Sequence, residues 1–181
     1  MKKLLTTVAG LVVVVLLVLG ASVVKPSKTG DRDLDAQLVK IDEKAKADPD
    51  VFFGQLSQQH NIPEAEIRRE KERRGLGYGD TYMAAALSRL SKRPIGAVAE
   101  EYKPKEGKGW GVMAMNMGIK PGSPEFHQLK DNAGGSVKHM DTVAKEKKNQ
   151  KKLEKERAQE QERKNKENGQ GQGQGQGKDK K

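Results

Sequence analysis

The sequence predicts an all-α protein, a small bundle of short helices built on a tandem helix–glycine turn–helix repeat. Apolar residues recur at helical spacing, as Leu34, Leu38 and Ile41 do at i, i+4 and i+7. After the first 24 residues, no stretch alternates between apolar and polar side chains as a half-buried strand would. Glycine and proline joints divide the chain into segments of helical length, which favours several short helices.

Helix start and stop signals place the first two helices. The segment 48–50 (DPD) is expected to end the first helix and to begin the second, because aspartate caps helices and proline is tolerated in a first turn. Phe52, Phe53 and Leu56 are the apolar positions of that second helix.

Four further signals continue the order of helices. The segment 61–64 (NIPE) begins a helix whose charged run is expected to stop at Gly75. Asp80 is expected to cap the helix TYMAAALSRL, and Pro94 begins PIGAVAEEY. A short last helix is predicted at 123–129.

The first 24 residues predict a secretory signal peptide or a membrane anchor. Two lysines precede an uncharged run, 4–24, with a Val/Leu-rich centre. Gly20 and Ser22 are small residues suited to cleavage before Val23, and an uncleaved run of this length can also span a bilayer. Either way, the lysines favour a cytoplasmic N terminus with the rest of the chain exported.

Composition separates a helical domain, 31–140, from a basic tail, 145–181. The three Phe, three Tyr and one Trp all lie between Phe52 and Phe126. The tail has 13 basic and 7 acidic residues, a net of +6, with one leucine and no aromatic residue. Such a composition cannot form a core, so the tail is expected to be disordered or a solvated single helix, with a flexible GQGQGQG segment.

Two similar phrases, GLGYGDTYMAAAL from Gly75 and GKGWGVMAMNMGI from Gly107, lie 32 residues apart. Each follows a predicted helix, so the repeats are about 62–91 and 94–122, a spacing that suits a two-helix repeat. The aligned phrases also match Met83 with Met115 and Leu87 with Ile119. The glycines expected to form the structural turns are Gly75, Gly77, Gly79, Gly107, Gly109, Gly111 and Gly118.

The aromatic residue within each phrase, Tyr78 or Trp110, has two interpretations. As structural residues, the two rings fill related positions in a pseudo-symmetric core, since large aromatic side chains are usually buried. As functional residues, they form a paired aromatic–glycine surface that binds a ligand or a strand of polymer.

The sequence argues against several kinds of chemistry. The chain has no cysteine, which excludes disulfides, thiolate metal sites and a cysteine nucleophile. GLGYG and GKGWG lack the spacing and the preceding strand of a dinucleotide loop, and no Walker motif, serine-nucleophile motif or catalytic pair is found. We therefore predict a protein without catalytic activity, cofactor or metal.

Two weaker motifs suggest metal ligands but fit structural roles better. Asp31, Asp33 and Asp35 resemble the start of a calcium loop, but position six is Ala36, so helix-start carboxylates are the favoured interpretation. The three histidines follow no ligand spacing and are expected to be surface or helix-end residues, with His60 at a helix end.

A segment at 114–123 is similar to the first helix and turn of a helix-turn-helix. The helix predicted after it is short and scarcely basic, which argues against reading of DNA bases. A nucleic-acid-binding protein therefore stays an alternative function.

The pattern GYGxxxMAxAL, followed by GKGWGxxAxxxGIKPGSPEFHxLK, resembles a group of uncharacterised bacterial exported proteins. The resemblance covers about residues 61–130 and implies export and a small helical domain with aromatic-glycine turns. It implies nothing about catalysis. The residues that carry it are Gly77, Tyr78, Gly79, Gly109, Trp110, Gly111, Ala114, Gly118, Pro121 and Gly122.

Together these observations predict a non-catalytic exported protein of the bacterial envelope. It would be periplasmic, extracellular or anchored in the inner membrane. With a net charge of +10, its expected partners are an anionic membrane surface, cell wall or extracellular polysaccharide, or another protein. An enzyme accessory with an unfamiliar site near Tyr78 and Trp110 is a further alternative.

Overall fold

A computed structural model of the protein describes residues 29–170. The predicted signal or anchor segment, 1–24, and the last residues of the tail, 171–181, lie outside the described residues. The described part is all-helical, as predicted. Its α-helices are α1 Arg32–Ala47, α2 Pro49–His60, α3 Glu64–Arg74, α4 Tyr78–Ser91, α5 Ile95–Glu101, α6 Trp110–Asn116 and α7 Pro124–Gln170, and a 3₁₀ turn, Pro104–Glu106, follows α5.

The helix α4 forms the centre of the bundle. Every residue from Thr81 to Ser88 is buried, including the small Ala84, Ala85 and Ala86, which let neighbouring helices approach closely. The helices α1, α2, α3, α5 and α7 all contact α4. Burying a stretch this long is consistent with one continuous core, to which each surrounding helix contributes one apolar face.

Several predicted helix boundaries are confirmed. Leu34, Leu38 and Ile41 are fully buried, so the first predicted apolar stripe faces the core. Asp48 ends α1 and caps α2, where its side chain accepts a hydrogen bond from the Val51 amide at 3.4 Å. The helices α3 and α5 begin directly after prolines, as the segment NIPE and the Pro94 signal predict.

The short helix predicted at 123–129 is wrong in its length. It is the first part of α7, which is 47 residues long and continues into the predicted tail. The Ser123 hydroxyl accepts a hydrogen bond from the Phe126 amide at 3.2 Å, so the predicted start is correct. Between Met140 and Asn168, no glycine or proline interrupts a run of good helix formers, and side chains 145–166 are all exposed. The tail is therefore helical up to Gln170, and its side chains are solvated up to Lys166.

Ion pairs join α1 to α7 along their length. Lys130 contacts Asp31 at 3.0 Å near one end of α1, Lys44 pairs with Asp141, and Lys147 contacts Asp48 at 2.5 Å at the other end. These partners follow opposite orders in the two helices, so α1 and α7 run antiparallel. Pairs at the surface stabilise weakly, by about 0–1 kcal/mol each, and mainly fix the register of the two helices.

Within residues 29–170, β-type backbone pairing is limited to one isolated bridge between Lys103 and Lys108, and no strand forms. None of the helices in this described range combines the length and the apolar composition that crossing a membrane requires.

Candidate functional site

The first glycine corner, residues 75–79, and the second, residues 107–111, have the same succession of backbone conformations. Gly75 and Gly107 have positive φ angles of 62° and 77°, a region that favours glycine. Gly77 and Gly109 are extended, with ψ angles of 169° and 167°, and each precedes the first residue of a helix.

The third glycine of each corner lies where the backbone meets a neighbouring segment. A Cβ atom on Gly79 would lie 3.1 Å from the Leu38 carbonyl oxygen in α1, and one on Gly111 would overlap the Thr29 carbonyl. The close approach at Gly79 lets its amide donate a hydrogen bond to the buried Asp42 carboxylate at 3.1 Å. Asp42 thus caps α4 from α1, because Gly77 has no side chain to do so. Burial raises the pKa of Asp42 despite these bonds.

The aromatic residues of the two corners are both the first residue of a helix, but their surroundings differ. Trp110 is fully buried and stacks on Tyr102, with ring centroids 3.9 Å apart and planes 9° apart. Its indole Nε1–H donates to the Asp80 carboxylate at 2.7 Å. The structural interpretation of Trp110 as a core residue is therefore supported by its burial.

The prediction that Asp80 caps its helix is wrong. Gly77 occupies the capping position, and Asp80 is the third residue of α4. From there its carboxylate accepts the indole N–H of Trp110 at 2.7 Å and lies beside the Tyr102 hydroxyl. Burial raises the pKa of Tyr102, and the neighbouring Asp80 charge raises it further. Asp80 thus joins the first corner to the aromatic residue of the second.

Tyr78 is only half-buried, in contrast to Trp110. Its ring packs edge-on against Phe52 at 5.2 Å and lies beside Phe53, while the Lys71 ammonium lies 4.5 Å above it. The two rings therefore do not fill equivalent positions in the core. The indole is enclosed while its N–H donates to the half-buried Asp80 carboxylate, whereas Tyr78 lies at the edge of α2 and α3.

The second phrase also departs from the first after its aromatic residue. The helix α6 has 7 residues, whereas α4 has 14, and it gives way to a turn with Gly118 at a φ angle of 82°. Met115 is 50% exposed, although the aligned Met83 is buried. Ile119 is buried like its counterpart Leu87, but from the turn rather than from a helix.

A cleft of about 940 Å³ opens between the first glycine corner and the segment that joins α5 to the 3₁₀ turn. Its lining includes Tyr78 and Tyr102, together with Asp42 and Asp80. Within the described residues, the lysines along the cleft take part in no ion pair. These lysines are Lys46, Lys71, Lys103 and Lys105.

A second basic surface lies on α7. Five lysines, which we call the lysine stripe, line a notch of about 610 Å³ beside the joint between α1 and α2. Helical geometry places them within about 140° of one another around the axis. They are Lys147, Lys148, Lys151, Lys152 and Lys155. All are exposed, and among residues 29–170 only two of them form ion pairs, Lys147 with Asp48 and Lys152 with Glu156.

The acidic and histidine candidates have structural roles. Asp31 caps α1, accepting a hydrogen bond from the Leu34 amide at 2.8 Å, and Lys130 bridges Asp31 and Asp33. Asp35 accepts two hydrogen bonds from Thr29, at 2.7 and 2.8 Å. No group of three or more potential metal ligands is found in the part of the chain that the structure describes.

His60 ends α2 as expected, but it is not on the surface. Only 4% of it is exposed, and its ring meets the edge of Tyr82 at 5.8 Å. Burial lowers the pKa of His60 to about 4, and the Arg89 charge acts in the same direction. Glu70, in the charged helix α3, is also buried, and it accepts a hydrogen bond from Arg73 at 2.7 Å.

The chain matched no protein-family model, no curated protein and no solved structure.

Replacing Gly111 with alanine should destabilise the second corner. The added methyl group overlaps the Thr29 carbonyl oxygen, so either Thr29–Gly30 or α6 must move, at a cost of about 1–3 kcal/mol. Gly135→Ala is a matched control, because Gly135 is inside α7 with open space around it. That variant should gain up to about 1 kcal/mol from helix propensity. Urea denaturation of both variants checks this, and equal stability would contradict the close approach.

Proposed function

We propose that the protein is a non-catalytic, exported component of the bacterial envelope whose basic helix α7 associates with an anionic surface or polymer. It is held in the inner membrane or released into the periplasm or the extracellular space. The small helical bundle acts as the scaffold from which α7 extends. The signal-like segment at 1–24 supports the export, and the lysine stripe supports the association.

The observation that carries the proposal is the geometry of the lysine stripe. Five ammonium groups lie on one face of a single helix, with no core residue among side chains 145–166 that would give the helix another packing role. A lysine near an anionic membrane surface contributes about 1 kcal/mol, so several acting together give measurable association. Salt weakens such an attraction because the ammonium groups are exposed.

We further infer that the two glycine corners are copies of one helix–turn–helix unit that has diverged. Matching φ angles at Gly75 and Gly107, and matching ψ angles at Gly77 and Gly109, support this interpretation. In both copies the third glycine packs closely against an earlier part of the chain, Leu38 for Gly79 and Thr29 for Gly111. The first copy contributes the central helix, and the second contributes a short helix that buries Trp110 on one face and exposes Val112 and Met115 on another.

Neutralising the lysine stripe should strongly weaken salt-sensitive binding to polyanions. The variant replaces all five lysines with glutamine, which preserves helix propensity and removes five positive charges. Binding of the full-length chain, in nonionic detergent, to an immobilised polyuronate should weaken by on the order of 100-fold at low salt. The elution salt concentration and a titration with the soluble polymer measure this.

A matched control removes the same charge elsewhere. Replacing five exposed lysines outside α7 with glutamine lowers the net charge equally. Because the lysine stripe is intact in this variant, binding that depends on α7 should be nearly unchanged. These lysines are Lys40, Lys46, Lys92, Lys108 and Lys120. Equal weakening by both variants would show that only net charge matters, and would contradict a site on α7. Duplex DNA that competes far better than polyuronate of equal charge would favour the nucleic-acid alternative instead.

A further inference from the structure

An exposed apolar patch lies beside the second glycine corner, away from the lysine stripe. Val112 is 41% exposed and Met115 is 50% exposed, and both extend from the short helix α6. They border a groove of about 620 Å³ whose remaining walls include Tyr102, Pro104 and Lys105. We call Val112, Met115 and this groove the apolar patch. Large apolar side chains left exposed side by side commonly mark an interaction surface.

The loop that forms one wall of the apolar patch is basic. The loop between α5 and α6 carries Lys103, Lys105 and Lys108, all exposed, against one carboxylate, Glu106. Two backbone hydrogen bonds of 3.1 Å between Lys103 and Lys108 hold the loop in a fixed shape. None of these lysines takes part in an ion pair among the described residues. The apolar side chains of the patch therefore adjoin a loop of exposed ammonium groups that the described bundle does not neutralise.

The N-terminal segment enters the fold at the same groove. Thr29 and Gly30 line it together with Gly111, Val112 and Met115. The apolar run of the sequence ends at position 24, and the chain from there to Thr29 can extend over at most about 18 Å. If the apolar run is held in a membrane, this short connection keeps the groove close to the lipid headgroups. The opposite end of α1, near the lysine stripe, is not restricted in this way.

We propose that the apolar patch is a membrane-binding face, and that its partner is a bilayer containing anionic phospholipid. Val112 and Met115 enter the interfacial region, and Lys103, Lys105 and Lys108 contact the lipid phosphates. A combination of apolar insertion and lysine attraction is what binds peripheral surfaces to anionic membranes. The inference rests on the proposed envelope location, but not on the lysine stripe. It gives the domain an orientation in which the patch faces the bilayer.

Single-cysteine labelling tests this face directly, because the chain has no cysteine of its own. The variants Val112→Cys and Met115→Cys carry an environment-sensitive fluorophore, and Val39→Cys is the matched control, with 36% exposure on α1. Each full-length chain is reconstituted at one copy per nanodisc. One set of nanodiscs contains phosphatidylglycerol, and the other contains only phosphatidylcholine. Emission maximum and quenching by a water-soluble quencher are measured.

We expect blue-shifted emission and at least threefold protection from the quencher at positions 112 and 115 in the anionic discs. The control position should stay as accessible as a free dye. Replacing Lys103, Lys105 and Lys108 with glutamine should return the labels at 112 and 115 to the aqueous value. Labels that are equally accessible at all three positions would overturn the proposed face, and equal protection in both lipids would overturn the anionic lipid as its partner.

The same discs separate this inference from the proposed function. Neutralising the lysine stripe should leave the fluorescence at positions 112 and 115 unchanged, since α7 is not part of the patch. Accessible labels in a chain that still binds polyuronate would refute the membrane face alone. If the labels are protected but neutralising the lysine stripe weakens polyuronate binding no more than the matched control does, only the proposed role of α7 is refuted.

Discussion

Replacing Trp110 with alanine should lower the free energy of unfolding by about 3–5 kcal/mol. The indole is fully buried, so its removal leaves a cavity beside Tyr102 and withdraws the N–H that donates to Asp80. A small helical bundle has little stability in reserve, so much of the population should unfold near physiological temperature. Chemical denaturation followed by circular dichroism measures the change.

Two companion variants separate the contributions of the ring and of the hydrogen bond. Trp110→Phe keeps most of the apolar volume but leaves the Asp80 carboxylate without this donor, at a cost of about 1–3 kcal/mol. Val112→Ala, exposed on the same helix, should change stability by less than about 0.5 kcal/mol. A Trp110→Ala variant that unfolds like the Val112→Ala variant but has lost polyuronate binding would refute the structural role and favour a binding role for the ring.

The buried His60 should make the fold sensitive to mild acid. Its pKa is lowered from 6.5 to about 4, so the unfolded chain binds a proton between these values while the folded chain does not. The stability that neutral His60 contributes is therefore present above pH 6.5 and is lost as the pH falls through 4. Linkage gives a loss of about 3 kcal/mol across this window.

Other groups titrate as well, such as Asp48, whose pKa is lowered by its ion pair with Lys147. Comparing variants isolates the contribution of His60 from theirs. His60→Gln should remove most of the loss between pH 6.5 and 4, whereas His139→Gln, exposed on α7, should leave it intact. Urea denaturation at closely spaced pH values gives the two curves. A wild-type curve parallel to that of His60→Gln would show that His60 is protonated inside the fold.

Local signals in the sequence are sufficient to predict the fold class and most helix boundaries. Asp48, Pro63, Gly75 and Pro94 act through short-range backbone chemistry, so their effect can be read from neighbouring residues alone. The buried stripe of α1 can be predicted for the same reason, since its helical period is a local property.

Features that depend on distant contacts could not be predicted. Asp80 resembles a helix cap in sequence, but its partner Trp110 is 30 residues away, and only the tertiary fold brings them together. His60 is buried because Tyr82 covers it, which no local pattern indicates. The unequal burial of Tyr78 and Trp110 likewise depends on which neighbouring helix reaches each ring.

The lysine stripe, by contrast, has a signal in the sequence that composition alone does not reveal. Lys147, Lys151 and Lys155 are spaced four residues apart, and Lys148 and Lys152 repeat that spacing one residue later. In a helix, this pattern places all five on one face. Recognising it requires knowing that the tail is helical, and the composition of the tail is compatible with either a helix or disorder.

The central claim is that α7 carries its lysines outside the cytoplasm. The variant Leu153→Cys, on the exposed part of α7, offers the most direct test, because it supplies the chain's single thiol. Spheroplasts that express the full-length chain, and the fraction released when they are prepared, are treated with a membrane-impermeant maleimide, with and without prior lysis. The account predicts full labelling of Leu153→Cys before lysis, and labelling that appears only after lysis would contradict it.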